Sequence, residues 1–306
     1  MVSSVHEDKV SEPESKSPVQ STTSTSGRLG KRKRGRENGD DSSRTPKPLP
    51  RVERTNTLPI ADFIETYVPR SYLKFTLPAP QSSIKDSAAT TITEKEPSTT
   101  SETYTLDIHS AASIPSADFE ACFNLVELTS SNDYENSSIG WSPSKKRKEM
   151  KLPDMRYMVL KKQEKQEREM KSEVEESVKG NGGALHEGRD IALGFLSFMV
   201  TYEDGKEVVY CYEIHLAPAM QGKGIGKRMM DLYEEIGRRV GLEKAMLTVF
   251  KANAVARKFY ERLGYEVDEY SPQPRKLRNG TIKEPDYVIL SKSLKVAEQE
   301  TKSDAK

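Results

Sequence analysis

Gln221-Gly222-Lys223-Gly224-Ile225-Gly226 stands between a strand pattern and a helix pattern. Ahead of it, Val208-Val209-Tyr210-Cys211-Tyr212-Glu213-Ile214-His215-Leu216 is an apolar, β-branched and aromatic run that predicts a buried strand. Behind it, Lys227 to Ile236 carries apolar residues at helical spacing. A glycine-rich turn that opens a helix aims several backbone N–H groups at one point, and the helix dipole adds positive potential there. Glycine lets the backbone come close to an anion, because a Cβ would block the approach. The turn therefore suits a phosphate, and it equally suits a tight strand–helix connection with no ligand. Two nucleotide-binding patterns are excluded. The P-loop needs Ser or Thr after Gly-Lys, and Gly226-Lys227 is followed by Arg228. The Rossmann fingerprint needs Gly-x-Gly-x-x-Gly, and the glycines fall at 222, 224 and 226.

The chain around this turn has 306 residues, 48 Lys+Arg against 47 Asp+Glu and a net charge of +1. Its apolar fraction of 34% and mean hydropathy of −0.73 are low for a globular chain, so part of it builds no core. Residues 1–57 are Ser, Thr, Pro and charge and read as a disordered basic tail. About 80–101 and 161–189 read as polar insertions, and 296–306 as a frayed end, which leaves 58–295 as one domain. Lys31-Arg32-Lys33-Arg34-Gly35-Arg36 reads as a nuclear import signal, against a weak nucleic-acid contact or a solvated charge run. Two cysteines, Cys122 and Cys211, exclude a disulfide framework and a zinc site by count. No apolar run reaches membrane-spanning length, and no signal-peptide core opens the chain, so a soluble protein of a reducing compartment is expected.

Along the domain, Leu58 to Val68 predicts a short helix and Tyr104 to Ile108 a strand. Ala117 to about Ser131 predicts a helix with Ser116 as its cap and Phe119, Phe123, Val126 and Leu128 on one stripe. Tyr157 to Leu160 and Ile191 to Val200 predict strands, and Glu203-Asp204-Gly205-Lys206 a hairpin turn. Gly241 closes the helix after the glycine turn. Ala245 to Phe250, a helix opened by Asn253 and stopped by Gly264, and strands at Tyr265–Val267 and Tyr287–Leu290 complete the order. This is mixed α/β around one sheet, too irregular for a doubly wound fold.

The turn fits Gln/Arg-x-x-Gly-x-Gly/Ala, and Asn253-x-x-Ala256-x-x-Phe259-Tyr260-x-x-x-Gly264-Tyr265 follows it at the expected separation. Together they resemble the two signatures of the GCN5-related N-acetyltransferase (GNAT) superfamily. That resemblance implies a central mixed, mostly antiparallel sheet flanked by helices. Val209 to Glu213, Leu247 to Lys251 and Tyr287 to Ser291 further resemble the histone-specific N-alpha-acetyltransferases of the NatD family. Upstream, Tyr134-Glu135, Gly140-Trp141 and Lys148-Glu149-Met150 also fit. The resemblance spans roughly 58–294, broken by the insertions.

It implies transfer of acetyl from acetyl-CoA, with no metal, to the free N-terminal amine of histone 4 and histone 2A tails beginning Ser-Gly-Arg-Gly. It implies further a nuclear and cytoplasmic monomer with ribosome or chromatin association. Ile214, His215 and Leu216 would pair with the pantetheine arm, with His215 giving only its backbone. Gln221, Gly222, Lys223, Gly224, Ile225, Gly226 and Lys227 would cradle the pyrophosphate, and Asn253 would contact the cofactor near the thioester. Tyr134, Trp141, Met158, Tyr212, Thr248 and Tyr287 would meet the peptide, with Trp141 equally readable as a core anchor. Glu213 would be the general base and Tyr210 a residue needed for activity. Two positions depart from the pattern: Ile139 stands where a tryptophan is expected, and Thr201 where an aspartate is expected, with Glu203 two residues on and on the same strand face.

The residues themselves leave alternatives. Tyr210 and Tyr212 share a strand face and also read as core aromatics. Glu213 is a carboxylate inside an apolar strand, a placement rare without a partner or a function. By strict alternation it points away from Tyr212 unless a bulge re-aims it. A lysine acetyltransferase of the same fold, a chromatin-binding module without turnover and a nucleic-acid binder through the basic tail are the competing functions.

Overall fold

The computed structural model describes residues 2–3, 49–78, 101–163 and 192–295. The basic cluster at 31–36, nearly all of the two polar insertions and the 296–306 tail lie outside the described residues. In chain order the elements are β1 (Val2–Ser3), α1 (Arg51–Asn56), α2 (Ile60–Tyr67), α3 (Arg70–Leu73), β2 (Lys74–Pro78), β3 (Ser101–Ser110), α4 (Ser116–Glu135) and α5 (Pro143–Met150). There follow β4 (Arg156–Gln163), β5 (Gly194–Glu203), β6 (Lys206–Leu216), a 3-10 turn (Pro218–Met220), α6 (Ile225–Val240) and β7 (Lys244–Phe250). The last are α7 (Ala254–Arg262), β8 (Glu266–Val267), β9 (Arg275–Lys276), β10 (Ile282–Lys283) and β11 (Tyr287–Ser293).

One sheet runs β2-β3-β4-β5-β6-β7-β11-β8, antiparallel throughout except for the parallel β6–β7 pair. Its two faces carry two cores. Val209, Cys211, Leu247 and Val249 face α6, whose Met229, Leu232, Tyr233 and Ile236 are fully buried against them. Val208, Tyr210, Met246 and Phe250 face the other way, toward Phe119, Phe123 and Val126 of α4 and Met150 of α5. The alternation along each strand distributes residues between these faces.

The β5–β6 hairpin turns through Asp204 at φ 47° and Gly205 at φ 79°, the pair of positive angles that a two-residue type I′ turn requires. α6 ends at Gly241 in the left-handed conformation, its N–H bonded to Gly237 O and Arg238 O, as predicted. The α4 stripe is Phe119, Cys122, Phe123, Val126, Ser130 and Tyr134; Leu128 is 69% exposed. Nine residues after Phe119, at about 100° per residue, Leu128 sits on the far side of the helix. Ser116 is the first helical residue of α4, and no side chain caps that helix.

Folded structure also begins earlier than composition suggests. Within the segment read as tail, α1 buries Val52 and Thr55. Arg156 from β4 reaches Thr55 O at 3.0 Å and Asn56 Oδ1 at 3.1 Å while its guanidinium lies 4.3 Å over the Phe63 ring of α2. A single buried cation thus fastens both helices to the sheet, adding to the roughly 1.5–3 kcal/mol of burying Phe63.

Candidate active site

β6 is the strand that organises the site. Against β5 its register shifts between Ser197 and Phe198: Ser197 lies opposite Glu213, and Phe198 opposite Cys211. Tyr212 is the extra residue of a bulge. The bulge resets the alternation, so that Glu213 and His215 point to the same face as Tyr210 and Tyr212. Two contacts prove the orientation: the Glu213 carboxylate meets Tyr134 of α4, and the His215 ring stacks on Phe195 at 5.5 Å. On its other edge β6 pairs with β7 only from Val208 to Cys211. The Tyr233 hydroxyl of α6 reaches Val209 O at 2.6 Å and Met246 O at 2.9 Å within that paired stretch. Beyond Cys211 the two strands part. The edge so opened takes β1, with Val2 opposite Ile214 and Ser3 opposite Glu213. It therefore accepts an extended amide chain.

The Glu213 side chain has no solvent exposure and meets three donors. Tyr134 Oη donates to its Oε1 at 2.8 Å, Lys146 Nζ of α5 reaches the same oxygen at 2.9 Å, and His215 Nε2 lies 2.6 Å from Oε2. Burial alone would raise the carboxyl, but Lys146 and His215 outweigh it and hold Glu213 below the ordinary carboxylate range. Burial alone would lower Lys146, but Glu213, Tyr134 and Glu149 outweigh it and hold the ammonium well above its ordinary value. Both partners are ionised, so His215 Nε2 is the donor to Glu213. Its Nδ1 lies 2.6 Å from Thr129 Oγ1, which itself donates to Leu125 O at 2.6 Å. Burial, followed by the Glu213 charge, raises the Tyr134 phenol far above its usual value, and it stays a donor.

From Ile214 a groove of about 430 Å³ runs to the glycine turn, lined by Leu216, Gln221, Gly224, Lys227, Phe259 and Arg262 among others. Gly222 (φ 73°) and Gly224 (φ 78°) adopt the left-handed conformation, and an added Cβ at either would meet nothing within 4 Å. The first backbone bond of α6 is Arg228 N to Gly224 O, and no side chain caps the helix. The amides of Ile225, Gly226 and Lys227 thus have no intrahelical acceptor and face the groove end. These amides, the helix dipole and the open space left by two missing Cβ atoms fit a diphosphate, and the strand edge at Ile214 fits a pantetheine arm.

The model of the Acetyltransferase (GNAT) family matches residues 148–265, which run from α5 through the glycine turn to Tyr265. That stretch is similar to the GNAT family. N-alpha-acetyltransferase 40 of Saccharomyces cerevisiae is 36% identical over 98 residues, covering 26% of this chain and 34% of that protein. The uncharacterized N-acetyltransferase YycN of Bacillus subtilis is 30% identical over 74 residues, covering 24% of this chain and 47% of that one. The chain thus spans about a third to a half of the length of these relatives. Among solved structures, the ribosomal-protein-S18-alanine N-acetyltransferase of Escherichia coli superposes with a TM-score of 0.37 at 17% identity over 64% of this chain and 97% of that one. The NatC complex bound to Gag peptide and CoA gives 0.39 at 14% identity, over 63% and 99%.

On this scaffold the predicted residues separate. Tyr134, Tyr210, Tyr212, Thr248, Tyr287 and Glu213 gather on one face, with the Tyr210 and Thr248 hydroxyls bonded to each other. Trp141 joins them, stacked on Phe123 at 6.1 Å and tilted on Tyr134 at 5.6 Å. Its loop passes Gly140 at φ 74°, and Ser138 ties that loop through backbone and side chain to Asp286. Met158 does not belong to this group: it is fully buried in the core on the α6 face, opposite the tyrosines, because Tyr157 and Val159 take the other side of β4. His215 is more than a backbone contributor, since its ring bonds Glu213. Asn253 caps α7 by accepting from Ala256 N at 3.0 Å, and its Nδ2 reaches Asp133 Oδ2 at 3.3 Å. Glu203 and Thr201 share the face of Met199 and Tyr210; burial, then the Glu203 charge, raises the Tyr210 phenol.

Lys146, Thr129, Tyr233 and Tyr260 carry parts of the site that sequence reasoning left without a role. Tyr260 is fully buried, and its hydroxyl has no hydrogen-bond partner among the described residues. Its signal was the Phe259-Tyr260 pair of the second signature. Lys146 gave none, since it stands inside a run of four basic residues.

Proposed function

We propose that the chain is an acetyl-CoA-dependent N-alpha-acetyltransferase acting on the free N-terminal amine of histone 4 and histone 2A tails. The observation that carries this reading is the bulge at Tyr212. It puts the ionised Glu213 among the tyrosines and beside the strand edge at Ile214, where the groove from the glycine turn ends. A diphosphate on the turn and a pantetheine arm along Ile214 bring a thioester to that point.

The amine lone pair forms the new C–N bond, the C–S bond breaks, and its electron pair leaves on sulfur. A free N-terminal amine has a pKa of about 7.7–8.0, against about 10.4 for lysine, so a large fraction is neutral near pH 8 and mild assistance suffices. With three donors already on its carboxylate and its pKa held low, Glu213 assists through the field and through an intervening water rather than as a strong base. Tyr260 retains a hydroxyl proton with no competing acceptor among the described residues and is the donor for the departing thiolate. Proximity supplies the larger share of the rate. The tyrosine face suits small Ser and Gly side chains, and Glu203 beside Tyr210 supplies negative potential for an arginine at the third position. The basic run at 31–36 is assigned to nuclear import, which brings the enzyme to histones.

The test offers acetyl-CoA with two peptides beginning Ser-Gly-Arg-Gly-Lys, one with a free and one with a blocked N-terminus, and locates the added mass by fragmentation. Acetyl on the free α-amine alone is expected. Acetyl on lysine in both peptides would make this a lysine acetyltransferase, and failure of acetyl-CoA to bind would reduce it to a binding module.

A further inference from the structure

Lys146 is an ammonium of 5% side-chain exposure, carried by α5 into contact with Glu213, Tyr134 and Glu149. Burying such a charge is costly, and pairs of this kind do not on balance add much stability. Its position gives it a chemical role instead. Glu213 without Lys146 would be a buried carboxylate beside the point where an amine must arrive. A neighbouring negative charge favours the protonated form of an amine, raising its pKa by about 1–3 units at close range. An ammonium has no lone pair and cannot attack a carbonyl. A carboxylate aimed at a substrate amine would then trap it in its unreactive form.

We propose that Lys146 is a positioning residue for acyl transfer, a fixed countercharge that neutralises Glu213 so that the arriving amine stays in its neutral, nucleophilic state. The inference rests on the acyl-transfer reading above. The groups that face Glu213 come from every neighbouring element: Tyr134 from α4, Lys146 and Glu149 from α5, Tyr157 from β4 and Tyr260 from α7. His215 bonds it from its own strand, and Cys211, on the opposite face, reaches only the Glu213 backbone carbonyl. Lys146 is the cation from outside β6 among them. Glu149 shares the remaining proton of its ammonium between two carboxylate oxygens, at 2.9 Å to each, and so orients it. The tyrosine between them, Tyr134, accepts from Lys146 and donates to Glu213, which fixes the direction of the charge pair.

The experiment measures kcat, which reports ionisations of the bound complex, for a free-amine Ser-Gly-Arg-Gly peptide from pH 6 to 10, at saturating peptide and acetyl-CoA, in wild type, Lys146→Met and Lys146→Arg. In Lys146→Met the acid limb moves up by about one pH unit or more, giving a loss of roughly tenfold at neutral pH that narrows toward pH 9. The KM for acetyl-CoA stays unchanged, because the groove holds none of these groups. Lys146→Arg keeps the countercharge and leaves the limb in place, whatever its rate. Coincident limbs in wild type and Lys146→Met overturn the proposal and leave Lys146 a structural residue. An isotope-edited infrared titration, with Glu213→Gln identifying the band, reads the same pairing without turnover. The carboxylate of Lys146→Met must take its proton at higher pH than wild type, and an identical titration also overturns the proposal. Should Lys146→Met fail to fold, Lys146→Gln serves in both measurements. Wild-type protein that acetylates no free amine would sink the proposed function, while the infrared result would still judge the Lys146–Glu213 pairing.

Discussion

Gly224 and Gly205 form a matched pair that separates folding from binding at the glycine turn. Both have positive φ, 78° and 79°, and a Cβ added to either meets nothing within 4 Å. Alanine at either site therefore carries the same conformational cost, about 1–2 kcal/mol for an L-residue held in the left-handed region. For a domain of this size that lowers the melting temperature by about 2–8 °C. The two sites differ in what the missing Cβ leaves room for. Gly205 lies in the β5–β6 hairpin turn. Gly224 lines the groove and precedes the amides of Ile225, Gly226 and Lys227. A methyl there obstructs the close approach of a diphosphate. Losing one backbone hydrogen bond to a charged group costs about 1.5–3 kcal/mol, or roughly ten- to a hundredfold in affinity. Calorimetric titration with coenzyme A and thermal melts on both variants decide the matter. Gly224→Ala is expected to lose affinity and stability, Gly205→Ala stability alone. Wild-type affinity in Gly224→Ala, or equal losses in both, would refute the assignment of this turn to the diphosphate.

Three further outcomes follow from the same geometry. Glu213→Gln removes the partner of a buried ammonium and is expected to cost about 3 kcal/mol in chemical denaturation while slowing turnover markedly and sparing coenzyme A affinity; wild-type rates in the folded variant would take Glu213 out of the mechanism. Glu213 also sets a pH dependence. Its folded pKa is depressed, so its stabilisation is complete above the unfolded value of about 4.3 and fades as pH falls through the lower folded value. The melting-temperature gap between wild type and Glu213→Gln should therefore be constant near neutrality and shrink below about pH 4, and a gap that widened on acidification would contradict the ion pair. Finally, β1 occupies the edge at Ile214 that the proposed function gives to a pantetheine arm, so deleting residues 1–6 is expected to lower the KM for acetyl-CoA, and a raised KM would show that β1 supports the cofactor rather than competing with it.

The order of elements could be read from the chain because its strong signals are local. A run such as Val208 to Leu216, a positive-φ turn at Asp204-Gly205 and a glycine helix stop at Gly241 each declare themselves within ten residues. The faces were harder. Met158 sits between Tyr157 and Val159, all apolar, so a period of two assigns it to neither side, and only packing against α6 decides. Leu128 looked like part of the α4 stripe because it is apolar, although helical geometry turns it outward. Lys146 is the sharper case. α5 reads Pro-Ser-Lys-Lys-Arg-Lys-Glu-Met, a pattern without an apolar face until Met150, and composition treats its four cations alike. Which one is buried depends on a carboxylate more than sixty residues away, and no local rule contains that information.

The same dependence explains why the bulge matters more than any single side chain. Strict alternation along β6 would send Glu213 to the α6 face, into a core of Leu, Val and Met, where neither Lys146 nor Tyr134 could reach it. It would also bring Ile214 to the polar side, leaving an apolar side chain among charged groups. One inserted residue corrects both at once. It aims the carboxylate at its partners on α4 and α5, and it stops the β6–β7 ladder so that backbone groups at Ile214 become available to an extended chain. The bulge thus places the charged site and the open strand edge proposed for the cofactor within two residues of each other, and neither could be moved along β6 without the other.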